Sequence, residues 1–90
     1  MITDFDYEFA AMEKAIKTGN QPADAASHDW RPAHILTAGK YETLMFLEQP
    51  NGHTLVRSDC GVIINFCYRL PVGEARAIYQ IAKNIGYVQG

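Results

Sequence analysis

Apolar residues recur along the chain with two periods, and the change from one to the other divides it into parts. Phe5, Phe9, Met12 and Ile16 are spaced four, three and four apart, which is the period of one helix face. Thr3 is placed to cap that helix, and Asp4, Asp6 and Glu8 fall near its positive end, where carboxylates are favoured. Glu13 and Lys17 form an i, i+4 pair on another face. Gly19 followed by Pro22 ends the element, so a helix is expected over 1–19.

From Tyr41 to Arg69 the pattern changes to strand-like runs, YETLMFLE, HTLVRS and VIINFCYR, separated by the turn signals QPNG and DCG. Pro50-Asn51-Gly52 suits a type I turn with Gly52 at positive φ, and Asp59-Cys60-Gly61 suits a three-residue hairpin with Gly61 in the left-handed position. His34 to Ala38 reads as a short first strand, joined to the next through Gly39-Lys40 as a two-residue turn. Ala75, Ile78, Ile81, Ala82 and Ile85 restore the helical period, with Pro71 near the start and Gly86 just past the end. The expected fold class is therefore α+β in a single domain spanning 1–90. It comprises an N-terminal helix, a connecting loop over 20–32, an antiparallel β-meander of three to four strands over 33–69, and a C-terminal helix over 71–86 packed on one sheet face.

The turns fix which side chains share a face. Phe46 should oppose Val56, Leu47 should oppose Leu55, and across the last hairpin Ser58 should oppose Val62. Leu44, Phe46, Val56, Val62, Ile64, Phe66 and Tyr68 then share the face that carries the helices. The other face should be polar if it meets water, yet it presents Leu36, Met45, Leu47, Leu55, Ile63 and Cys67, rimmed by Tyr41, Arg57, Asn65 and Arg69. Either a partner covers that face, or the 20–32 segment folds across it with Trp30 as its anchor.

Composition adds bounds. No apolar run reaches the length of a membrane span, and the acidic N-terminus lacks the order of a signal peptide. Cys60 and Cys67 would lie roughly 20 Å apart along a strand, too far for a disulfide. Two free thiols fit a reducing compartment, and a cytoplasmic protein is expected. The net charge of −2 hides an acidic first third, a split that ordinary scatter also produces.

Candidate chemistry is sparse. His53 would face Cys67, a pair able to form a thiolate nucleophile, but no orienting acid or oxyanion donor accompanies it. His28, His34, His53 and the cysteines lack zinc spacing, so no metal and no cofactor is expected. Basic residues do not gather on one face, so nucleic acid is not the expected partner.

The chain is therefore expected to be a small non-enzymatic protein-binding module, an inhibitor or regulator acting by steric occlusion. Phages and mobile elements make host-takeover and anti-defence proteins of this build. The partner is a protein or a second copy of the chain. Met45, Leu47, Leu55 and Ile63 form the expected apolar centre, with Tyr41, Arg57 and Arg69 as anchors. On that reading, glutamate at Arg57 or Leu55 abolishes binding and leaves the fold intact. The alternatives are a metal-independent, toxin-like ribonuclease using His53, Arg57 and His34, or a homodimeric structural or adaptor subunit.

Overall fold

The computed structural model describes residues 4–90, with side chains from Phe9 onward. The Thr3 cap, the carboxylates of Asp4, Asp6 and Glu8, and the Phe5 ring lie outside the described residues. Helix α1 runs Asp4–Lys17, strand β1 Gln21–Pro22, and a 3₁₀ turn Ala25–Ser27. Strands β2 (His34–Ala38), β3 (Glu42–Glu48), β4 (His53–Cys60) and β5 (Ile63–Pro71) follow, then α2 (Val72–Asn84) and β6 (Val88–Gln89).

The expected mixture of helix and antiparallel sheet is present, and the meander β2–β5 is its centre. The sheet is larger than expected. It has six strands in the order β1-β5-β4-β3-β2-β6, and α2 is followed by a strand rather than ending the fold. The two additional strands are two residues long: β1 sets Gln21 against Arg69 and Pro22 against Tyr68, and β6 sets Val88 against Thr37 and Gln89 against Leu36. Strands this short carry no readable alternation, and they suit sheet edges because they offer a neighbouring chain little backbone to pair with.

The middle hairpin has the expected register, with Phe46 opposite Val56 and Leu47 opposite Leu55. Both flanking hairpins differ. Ala38 pairs with Glu42, so Gly39-Lys40-Tyr41 is a three-residue connection, and Leu36 consequently shares a row with Leu44. This moves Leu36 from the second face to the helix face. Across β4–β5 Cys60 pairs with Ile63, so the turn is Gly61-Val62, led by a glycine at φ +63°. The register then slips between Ser58 and Asp59, leaving Asn65 as the extra residue of a bulge. Beyond it Ser58 opposes Phe66, Arg57 opposes Cys67 and Thr54 opposes Leu70.

The main core lies on the face of Leu36, Leu44, Phe46, Val56, Phe66 and Leu70. Met12 and Ile16 of α1, and Ala75, Ile78 and Ala82 of α2, close over it, so both amphipathic helices spend their apolar stripes on the same side of the sheet. The Glu13–Lys17 pair forms at 3.2 Å on the outer face of α1. Ile81, expected on the apolar side of α2, is instead exposed. Phe9 stacks on Tyr87 and Phe46 meets Tyr79 edge-on at 5.2 Å, tying the helical layer to the strands.

A second, smaller core occupies the opposite face. Leu47, Leu55 and Cys67 are buried there with Ala25, and Ala23, Trp30 and Ala33 press against them. The 20–32 segment thus folds across the sheet. The Ala23 amide donates to the Cys67 carbonyl at 3.0 Å and the Trp30 Nε1–H to the Ala25 carbonyl at 2.6 Å. The Arg57 guanidinium lies 5.3 Å from the centre of the Trp30 ring while holding Asp59 through two hydrogen bonds of 2.8 and 2.9 Å. No helix among the described residues is long and apolar enough to cross a membrane.

Candidate protein-contact surface

Two turns stand side by side at one end of the sheet. The β2–β3 turn brings Tyr41 to the surface, the β4–β5 turn brings Val62, and the Gly61 amide donates to the Tyr41 carbonyl at 2.9 Å. Val62 is 99% exposed, and Tyr41, Ile63 and Ile64 are 66%, 65% and 44% exposed. Among the described residues only six large apolar side chains are exposed, and these are four of them.

The bulge explains why both isoleucines belong to this end. Because Asn65 is extra, Asp59 pairs with Ile64 and Cys60 with Ile63. The two residues thereby exchange the faces expected of them, since each one-residue slip inverts a strand. Ile63 joins the row of Glu42 and Cys60, and Ile64 the row of Thr43 and Asp59. The tip therefore presents one exposed isoleucine on each face, with Val62 and Tyr41 at its end. From Ile64 the second face continues through Thr43 to half-buried Met45 and Ile35 before the Trp30 loop covers it.

The seven residues expected to form an interface separate into two groups. Tyr41, Ile63 and Met45 lie on or beside the open tip. Leu47 and Leu55 are buried in the second core, Leu55 completely, so they are not available as the centre of a contact. Arg57 is committed to Asp59 and Trp30, and Arg69 is half-buried opposite Gln21 at the covered end. The expected interface on this face gives way to the alternative, in which the 20–32 segment with Trp30 lies across Leu47, Leu55 and Cys67. The chain supplies most of the cover itself.

The residues considered for chemistry are not brought together. Cys67 opposes Arg57, four positions along β4 from His53, which is roughly 13 Å of strand. His53 is opposite Gln49, whose amide donates to its carbonyl at 2.9 Å. His34 lies on the helix face, in the row of Phe46, whereas His53 and Arg57 belong to the other face. Burial pushes the Cys67 thiol up to about 11, against a smaller opposing pull from Arg57. The Glu42 carboxylate raises the Cys60 thiol as well, so neither cysteine is poised as a thiolate at neutral pH. Among the described residues no three His, Cys, Asp or Glu side chains converge as a metal site would require.

Val62 and Ile64, expected among the core positions of the helix face, are exposed instead. A signal was present. The second position of a glycine-led two-residue turn ordinarily carries Asn, Asp or Ser, and a β-branched apolar residue there gains nothing from the turn. No protein family, curated protein or solved structure matches this chain.

Proposed function

We propose that the protein is a small, non-enzymatic binding module that inhibits or regulates a partner protein by occupying a groove on it with the double-turn tip. Val62 carries this reading: an aliphatic side chain left 99% exposed at the apex of a turn does nothing for the fold. Contiguous exposed apolar side chains mark contact sites, and here Tyr41, Ile63 and Ile64 surround it. Because the tip carries an exposed isoleucine on each face, its shape suits insertion between two walls of a partner rather than docking on a flat surface. Tyr41 contributes a large, stiff ring with a polar end, the kind of residue that concentrates binding energy. Met45 and the open part of the second face extend the contact.

The test is affinity capture from the native cell extract with wild type, Val62→Asp and Arg31→Glu. Arg31 is exposed on the outer side of the covering loop, paired with Asp29, and serves as a surface control. Wild type and Arg31→Glu should retain the same specific protein, whereas Val62→Asp should lose it while unfolding at the same temperature as wild type. Equal capture by all three would place the contact elsewhere. Light scattering at rising concentration separates self-association, in which the partner is a second copy, from a foreign partner.

A further inference from the structure

A cleft of about 300 Å³ opens on the helix face, at the sheet end opposite the double-turn tip. Its floor is apolar, made by Phe46, Ala75 and Tyr79. Thr54 also lines it, 2% exposed, and its hydroxyl is buried with no hydrogen-bond partner. At the rim, Arg76 from α2 and Glu48 from the end of β3 face each other with Nη2 and Oε1 3.8 Å apart. The pair is loose, its side chains 71% and 51% exposed, and pairs of this kind contribute little to stability. Both members are therefore available to other partners at small cost.

We infer that this cleft binds a free α-amino acid with an apolar side chain. An amino acid carries a carboxylate and an ammonium on neighbouring atoms. Laid antiparallel to the rim pair, it sets carboxylate against Arg76 and ammonium against Glu48, and each charge meets its opposite with no net charge added to the site. Arginine recognises carboxylates through paired N–H donors. The side chain then enters the space over Phe46 and Tyr79. At about 30 Å³ per water, the cleft holds the equivalent of about ten waters, room for a ligand of leucine or phenylalanine size and at the small end of ligand pockets. A nucleotide fits the chemistry poorly, because Arg76 is the only lysine or arginine of the lining and Glu48 would repel a phosphate.

The experiment is a titration of the ¹⁵N-labelled full chain with L-leucine and L-phenylalanine, up to about 10 mM to cover weak binding, followed by amide shifts around Ala75 and Tyr79. N-acetyl and carboxamide derivatives of the same amino acids, and guanosine, are titrated in parallel. Saturable shifts should appear with at least one free amino acid, and blocking either charged group should weaken binding at least tenfold. Arg76→Gln and Glu48→Gln should each weaken it by a similar factor, and spectra elsewhere in the protein should stay unchanged because both side chains lie at the exposed rim. The proposal is overturned if neither amino acid binds, if the blocked forms bind as well as the free ones, or if guanosine binds in their place. Val62→Asp should bind the amino acid normally, which separates this site from the protein-contact surface.

Discussion

Trp30 is the only tryptophan in the chain, and its removal tests whether the covering loop belongs to the folded unit. In Trp30→Ala three interactions go together. The Nε1–H bond to the Ala25 carbonyl contributes about 1 kcal/mol net. The Arg57 guanidinium over the ring contributes about 0.5–1 kcal/mol. A fully buried aromatic cut to alanine costs about 3–5 kcal/mol; Trp30 is only partly buried, and half that figure is appropriate. The sum is about 3–4.5 kcal/mol. A chain of this length has roughly 5–13 kcal/mol in total, so the loss is a large fraction of it. Urea unfolding followed by far-UV circular dichroism should show the midpoint falling by about 3 M, given slopes near 1–1.5 kcal/mol per M for small domains. Trp30→Phe keeps a ring against Leu47 and Leu55 and loses the N–H donor, so its deficit should be less than half as large. In wild type the tryptophan emission should shift to the red in the same transition as the dichroism. A loss below 1 kcal/mol for Trp30→Ala, or an emission change that precedes the dichroism, would show that the loop merely rests on the sheet.

Further predictions concern the same two cores. Leu55→Glu, which would be a harmless surface change if the second face were open, places an unpaired charge in a fully buried position and should abolish cooperative unfolding at 25 °C. Soluble, cooperatively folding Leu55→Glu protein would contradict the second core. Ser58→Ala removes a buried hydroxyl that has no partner between Leu44 and Phe66, and its unfolding free energy should stay within about 0.5 kcal/mol of wild type or rise; a loss above 1.5 kcal/mol would mean that the hydroxyl is bonded. The Cys67 thiol is raised from 9.0 to about 11 in the folded chain, so the native state holds its proton more tightly than the unfolded state does. That contribution is intact below pH 9 and is lost as pH rises from 9 to 11. Urea midpoints should therefore fall more steeply over pH 9–11 in wild type than in Cys67→Ala, and parallel slopes would refute the assignment.

Helix existence and the helix-facing side of the central strands were legible because they rest on periodicity. Phe9, Met12 and Ile16, and Ala75, Ile78 and Ala82, sit in the main core as their spacing requires. Turn lengths were harder to read. A glycine at positive φ is equally at home at the end of a three-residue loop and at the head of a two-residue one, so Gly61 marked a turn without saying which. The bulge at Asn65 has no local signature, and it decides which faces Ile63 and Ile64 occupy. The covering loop was legible as an alternative to a partner, with Trp30 as its anchor, but its other contacts were not. Ala23, Ala25, Trp30 and Ala33 follow no period, because an irregular segment meets a flat sheet with whichever residues its turns happen to present. The apolar second face announced that something must cover it. What covers it was decided by contacts between residues distant in sequence.

The most direct test of the binding role is a photoreactive benzoylphenylalanine placed at position 62, compared with the same residue at position 83 on the exposed side of α2, each expressed in the native cells and irradiated. The account predicts one discrete crosslinked protein from position 62 and none from position 83. Crosslinking from position 83 alone, or from neither position in cells where the protein exerts its effect, would contradict it.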